Sequence, residues 1–356
     1  MINIVYGTTA ELIKLENLIK ILKLECNVFV YCSNQQQNDL EKFHKNSSFQ
    51  PECTYINSNG KGLTRIGLTP IWFIQNVRNL SRIVKKNQSK GEPFILVQGD
   101  TLTALVGAVV SVINRIKLIH VEAGLRSKNI LNPFPEEIIR ILISFACYLH
   151  FAPGVIAMHN LFRHRGIKVN THFNTGVERI SKTKLLKNHT QDRIECVVLL
   201  HRAELLSRKR KLKASLNEVK KIAKIKKTVL IMDQHLEHTL KKYGVMEDLV
   251  SSKIRIIRKL EHADMLKVLA DCDFVITDSG GLQEELYVLG KPVLIHRKFT
   301  ERSDGLNQNA RLSNLNVAEI SAFCNNFRDY ERPPMHIEKF PSEIISDYII
   351  NTLGIR

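Results

Sequence analysis

No stretch of the 356 residues approaches the ~18 consecutive apolar positions of a membrane span. The opening residues, Met1 to Gly7, have neither a basic n-region nor a cleavage site and read as a buried strand. A soluble, cytoplasmic protein is expected. Seven cysteines (Cys26, Cys32, Cys53, Cys147, Cys196, Cys272, Cys324) are scattered and form no C-x-x-C pair. Zinc sites need closely spaced ligand pairs, so a cysteine-based metal site is not expected, and an odd count of dispersed thiols fits a reducing compartment. There is no G-x-G-x-x-G, which removes support for a nicotinamide-dinucleotide site. With 44% hydrophobic and 24% charged residues, neither disorder nor a collagen-like repeat describes the chain.

Positive charge is abundant. Fifty-two Lys+Arg against 35 Asp+Glu leave 52 − 35 = +17. Residues 202–227 carry eleven Lys/Arg and two glutamates (Glu204, Glu218), with Arg208-Lys209-Arg210-Lys211 as the densest run. The plain reading is a solvated, helix-rich surface. The sharper one is a patch for anionic partners, giving peripheral contact with the inner membrane face. The segment has no Phe, Tyr or Trp to stack on bases, so nucleic acid is not expected as a partner.

At roughly 100–200 residues per domain, the length suggests two domains. Short β-rich runs alternate with longer segments whose apolar residues recur every three or four positions. Candidate strands are Ile2–Tyr6, 27–31, Phe94–Gln98 and Lys117–Val121 in a first half. The second half offers 195–200, Thr228–Met232, 254–257, 273–277 and 292–296. Helical patterns include 11–24 and 102–115. Continuous apolar strands followed by helices imply parallel sheets covered on both faces. The expectation is an α/β protein of two doubly wound, Rossmann-like domains with a cleft between them, 1–180 and 181–340. The polar, lysine-rich stretch 180–193 reads as the linker, and a last helical pattern at 342–353 as a segment crossing back to the first domain.

In open α/β sheets, ligands bind beyond the carboxyl ends of the strands. After the first strand comes Gly7-Thr8-Thr9-Ala10-Glu11-Leu12-Ile13-Lys14, a tight turn leaving helix N–H groups for an anion, although such punctuation is also common without a ligand. Gly99-Asp100-Thr101, Glu122-Ala123-Gly124-Leu125-Arg126 and Pro133-Phe134-Pro135-Glu136-Glu137-Ile138-Ile139-Arg140 put acids at strand or helix ends. Any one of these could be an N-cap or a first-turn acid. Several together could act as general acid and base. His201-Arg202-Ala203-Glu204 follows a strand and could neutralise a phosphate. In T-D-S-G-G-L-Q-E-E, residues 277–285, Ser-Gly-Gly opens a helix as a nest for diphosphate oxygens. A carboxylate further down that helix suits ribose hydroxyls.

Taken in order, these motifs resemble the non-hydrolysing UDP-N-acetylglucosamine 2-epimerases, which share the GT-B glycosyltransferase architecture. The family's G-T-R-P-E-x-I-K looks like residues 7–14, and its H-G-D-T-x-T looks like 98–103. H-V-E-A-G-L-R stands unchanged at 120–126, and P-F-P-E-E-x-N-R looks like 133–140. H-R-x-E is similar to 201–204, T-D-S-G-G-x-Q-E-E to 277–285, G-K-P-V-L to 290–294 and T-E-R-P-E-G to 300–305. Gly62-Leu63-Thr64 sits where the family has Gly-Leu-Thr. The resemblance implies a reaction without metal or NAD, in which UDP leaves C1 as a base removes the C2 proton of UDP-GlcNAc. Reprotonation on the other face and return of UDP give UDP-ManNAc, for surface-polysaccharide synthesis. By the same resemblance, Asp100, Glu122 and Glu136 or Glu137 supply the acid–base groups. His201, Arg302 and Lys14 steady the departing diphosphate. Gly7, Thr8, Arg140, Arg202, Ser279, Gly280 and Gly281 line the substrate or UDP, Glu285 takes the ribose, and a homodimer is implied.

Where the family has Arg, Pro, Asn and Asn, this chain has Thr9, Ala10, Ile139 and Leu205, and the Gln-His pair after the second strand is absent (Ser33-Asn34-Gln35). Loss of a phosphate-facing Arg weakens leaving-group stabilisation. Two alternatives therefore stay open. One is a GT-B glycosyltransferase using a nucleotide-sugar donor and a lipid-linked or glycan acceptor. The other is a hydrolysing epimerase that releases free N-acetylmannosamine.

Overall fold

The computed structural model describes residues 1–47, 49–57, 62–63, 66–87, 92–130, 134–182, 193–258 and 260–355. The chain forms two compact units, Met1–Thr175 with Glu338–Arg356, and Gly176–Ile337. Most of the expected linker lies outside the described residues, as do Thr64 and Pro133.

In the first unit, β1 (Ile2–Tyr6), β2 (Val28–Cys32), β3 (Thr54–Tyr55), β4 (Phe94–Gln98), β5 (Lys117–Val121), β6 (Leu149–Ala152) and β7 (Ile167–Asn170) form a parallel sheet in the order β3-β2-β1-β4-β5-β6-β7. Alternation along each strand divides its apolar residues between two cores. Ile2, Ile4, Leu96 and Ile119 pack with Leu12, Leu15 and Leu18 of the Thr9–Glu25 helix. Val5, Ile95, Val97 and Leu118 face the helices Thr69–Asn87, Leu102–Asn114 and Glu136–Ala146. The Leu102–Asn114 helix lies close because Gly107 faces the sheet: a Cβ there would sit 2.4 Å from Val97 Cγ1. Ile345 and Ile349 of the C-terminal segment complete the first of these cores, against the Thr9–Glu25 helix.

In the second unit, β8 (Cys196–Leu199), β9 (Thr228–Met232), β10 (Arg255–Arg258), β11 (Phe274–Thr277), β12 (Val293–Ile295) and β13 (Ala310–Leu312) run parallel in the order β10-β9-β8-β11-β12-β13. Val198, Leu230 and Ile276 face one core, and Val197, Val229 and Val275 the other. Both sheets are thus doubly wound, as the alternation of strands and helices implies.

Four strands escape the sequence pattern. β3 has two residues and β13 three, too short for periodicity, while β6 (Leu-His-Phe-Ala) interrupts its apolar run with a buried histidine. β7 (Ile-Lys-Val-Asn) is a half-buried edge. The last helical pattern is α-helical over Pro341–Asp347 and then widens into a π-turn over Tyr348–Thr352. In the basic segment, the Lys209–Ile222 helix buries Leu212, Leu216 and Val219 and leaves Arg208, Lys209, Arg210, Lys211 and Lys213 exposed. Five cysteines are buried and Cys26 and Cys53 are half-buried, all as free thiols. No described helix is long and apolar enough to cross a membrane.

Candidate active site

In the first unit the informative residues gather at the carboxyl ends of β1, β4 and β5. Thr8 caps the Thr9–Glu25 helix in a capping box with Glu11. The buried Glu11 carboxylate accepts from the N–H groups of Gly7 and Thr8 (2.8 Å each) and from the Thr101 hydroxyl (2.5 Å). Burial outweighs these bonds and pushes the Glu11 carboxyl up to about 7. At the turn expected to cradle an anion, a carboxylate from the chain itself takes the Gly7 and Thr8 N–H groups. Gly7 serves close packing, since a Cβ would fall 2.1 Å from the hydroxyls of both Ser33 and Thr103.

One turn along the same helix, Lys14 Nζ lies 2.5 Å from Glu122 Oε2. Gln98, the last residue of β4, donates its side-chain amide to the same oxygen. Glu122 follows β5 with φ +67°, a backbone region that side-chain-bearing residues enter at a cost of about 1–2 kcal/mol and that is enriched at functional sites. Beneath it, His120 bonds the carbonyl of Gly99 through Nε2 (2.8 Å) and burial lowers its ring to about 3, so it is a neutral brace for the β4 turn. Asp100, on that turn, pairs with Arg140 Nη2 at 2.5 Å. Arg140 Nη1 also reaches Glu137 Oε2 (3.1 Å), which accepts the Ser127 N–H (3.0 Å). This separates the two adjacent glutamates. Glu137 is buried in a network that fixes the 122–127 loop, while half-buried Glu136 has a shielded Oε2 with no hydrogen-bond partner among the described residues.

In the second unit, Asp278 organises the ends of β8 and β11. Its buried carboxylate accepts from the N–H groups of His201 (3.0 and 3.1 Å) and Arg202 (2.9 Å). Burial raises its pKa, against the lowering effects of His201, Arg202 and these bonds. The His201 ring is about one third exposed, with Nδ1 3.6 Å from Asp278 Oδ1, beyond hydrogen-bond distance. Ser279 caps the Gly280–Val288 helix by accepting from the Leu282 N–H. A Cβ on Gly280 would lie 2.7 Å from Arg302 Nε, whereas Gly281 has nothing within 4 Å. Further along, Glu285 Oε1 bonds His262 Nε2 (2.8 Å), and its buried Oε2 has no hydrogen-bond partner among the described residues. That shielded acceptor suits a hydroxyl donor. Arg302 bonds Glu284 and lies 3.8 Å from Glu301, which also holds Arg297 (2.9 Å) and approaches Arg202 (3.8 Å). Three guanidinium groups and two carboxylates thus gather beside the buried Asp278 carboxylate.

Comparison with known proteins supplies the deciding observation: residues 75–351 match the model of the family described as UDP-N-acetylglucosamine 2-epimerase. The chain belongs to that family, and it is an epimerase. The UDP-N-acetylglucosamine 2-epimerase of Campylobacter jejuni is 30% identical over 326 residues, covering 85% of this chain and 82% of the relative. That of Methanocaldococcus jannaschii is 30% identical over 356 residues, covering 93% and 94%. A crystal structure of M. jannaschii UDP-GlcNAc 2-epimerase in complex with UDP-GlcNAc and UDP superposes with a TM-score of 0.77, at 25% identity and 99% coverage of both chains. The two-sheet fold is thus the fold of 2-epimerase structures.

Several residues of this epimerase's candidate site were not singled out from sequence. Asp278 stands inside T-D-S-G-G, but nothing local reveals that it receives N–H groups from a loop 76 and 77 positions earlier. Glu11 reads as a capping-box acid, and its contact with Thr101, 90 positions away, is purely tertiary. Gln98, Glu284, Arg297 and Glu301 likewise acquire their partners only in the fold.

Proposed function

We propose that this epimerase interconverts UDP-GlcNAc, or a close derivative, and UDP-ManNAc by elimination and re-addition of UDP. Glu122 carries the reading: a nearly buried carboxylate on left-handed backbone, paired with Lys14, at the end of the strand beside Asp100. In the forward step the C2–H bond breaks toward a carboxylate. The C1=C2 double bond of 2-acetamidoglucal forms, and the C1–O bond breaks with its electrons leaving on UDP. The return step delivers a proton to the opposite face of C2 while UDP re-adds at C1. Glu122 takes the base role, and Asp100 and Glu136 supply the remaining acid–base groups. Glu137 with Arg140 holds them in place. In the second unit His201, Arg202, Arg302 and the Ser279–Gly281 turn take the diphosphate, and Glu285 the ribose, with Asp278 setting the loop. No redox change occurs and fixed positive charge stabilises the leaving group, so the reading assigns no NAD or metal; activity is expected to persist after chelation with EDTA.

Support for the substrate comes from the relatives, which are named for UDP-N-acetylglucosamine, and from the M. jannaschii complex with UDP-GlcNAc and UDP. The same reading places the protein in the cytoplasm, as a homodimer serving surface-polysaccharide synthesis, with the basic 202–227 segment available to anionic lipid. The deciding experiment is proton NMR of UDP-GlcNAc with the protein in D2O. Deuterium at C2 with a growing UDP-ManNAc signal is the expected result. Free N-acetylmannosamine with UDP would make the chain a hydrolysing relative, and absence of any exchange would overturn the reading.

A further inference from the structure

Gln98 is 2% exposed and closes β4, where it pairs with Val121, the residue before Glu122. The amide and the carboxylate are therefore set on adjacent strand ends, and Gln98 Nε2 donates to Glu122 Oε2. Lys14 Nζ reaches the same oxygen at 2.5 Å from a different element. Two donors of different character thus converge on one oxygen. Lys14 carries charge and its side chain is 19% exposed, so a substrate phosphate can compete for it. Gln98 is neutral, anchored in the sheet and does not titrate, so its N–H is a donor at every pH.

We infer that Gln98 is a positioning residue for Glu122, holding its carboxylate ionised and fixing its rotamer for proton transfer. The inference rests on the reading in which Glu122 moves the C2 proton. A hydrogen bond to the charged form favours that form, and it counts for more in a nearly dry setting. The amide also suits the other half of the cycle. Turned over, its Oε1 accepts from the carboxyl once Glu122 holds the proton, so one side chain can serve both protonation states.

The test compares Gln98→Met, close in volume but without an N–H, with Gln98→His, which keeps a donor. Two readouts are taken: the pH titration of the Glu122 carboxyl by carbon NMR in glutamate-labelled protein, assigned by its loss in Glu122→Gln, and the pH profile of C2 exchange. In Gln98→Met the Glu122 midpoint is expected to move upward. The acid limb of kcat moves up with it by about one pH unit, the size of one lost charge-assisted bond, so that the loss approaches tenfold below the wild-type midpoint and closes as the pH rises. KM is expected to move less than kcat, and Gln98→His, which keeps an N–H donor, to restore activity above the pH at which its own ring titrates. A Gln98→Met enzyme whose Glu122 titrates as in the wild type, or whose activity falls equally at all pH, would overturn the inference. If the wild-type protein shows no exchange, the functional reading fails instead, and the Glu122 titration still decides whether Gln98 holds it ionised.

Discussion

At the residue scale, the most informative feature is a carboxylate held where carboxylates are costly. Glu122 combines left-handed backbone, near-complete burial and two donors on one oxygen, and none of these serves the packing of the sheet. Glu122→Gln keeps shape and removes the base. It is expected to reduce C2 exchange by at least ~100-fold, the usual scale for losing general acid–base catalysis, while UDP binding measured by calorimetry persists. Retained exchange would move the base elsewhere, with Glu136 next. Glu11 makes a different prediction. Its carboxyl titrates at about 7 in the fold, so between the ordinary carboxylate range and pH 7 the native state holds a proton that the unfolded chain has released. Stability must then fall as pH rises through that window, with a slope of at most about 1.4 kcal/mol per pH unit. Urea midpoints between pH 5 and 8 should show this decline in the wild type and a flatter line in Glu11→Gln.

At the element scale, the start of the Gly280–Val288 helix separates packing from binding. Gly280 is pressed against Arg302 and Glu301, so a methyl there displaces the guanidinium and disturbs the charge cluster. Gly281 meets no atom, and in a helix alanine is favoured over glycine by up to about 1 kcal/mol. Gly281→Ala is therefore expected to fold at least as stably as the wild type. If the Ser-Gly-Gly turn cradles diphosphate, the same change weakens UDP binding, because the added methyl occupies the approach to the turn's N–H groups. Calorimetric UDP affinity beside the thermal midpoint separates the two effects. An unchanged affinity would remove Gly281 from the phosphate site.

At the scale of the whole molecule, the first unit bears apolar side chains that its own core does not use. The mutually packed helices Thr69–Asn87, Leu102–Asn114 and Glu136–Ala146 expose Ile71, Ile74, Val112, Ile113, Leu142 and Phe145. Exposed apolar side chains of this kind are candidates for the contact surface of the proposed homodimer. Light scattering should find a dimer in the wild type and a folded monomer in Ile74→Glu or Phe145→Glu. A wild-type monomer at micromolar concentration would refute the dimer. The excess of seventeen positive charges is a property of the same scale, and it makes any contact with anionic lipid weaken as salt rises.

Sequence by itself determined the layered α/β architecture and the stations of the candidate site. Fully buried parallel strands must be continuous apolar runs, covering helices must show three- and four-residue spacing, and turns at strand ends need glycine, hydroxyl and acidic residues. Each of these requirements is local and leaves a local trace. Only the tertiary structure decided what those residues touch. It gave the Gly7 and Thr8 N–H groups to Glu11, buried Glu137 with Arg140 while leaving an oxygen of Glu136 without a bond, and made Asp278 the anchor of the His201 loop. It also brought Lys14 and Gln98 onto one oxygen of Glu122. Such pairings depend on side chains up to 108 positions apart reaching the same few ångströms. Strand order and register fix that proximity, and one-dimensional periodicity carries no trace of it.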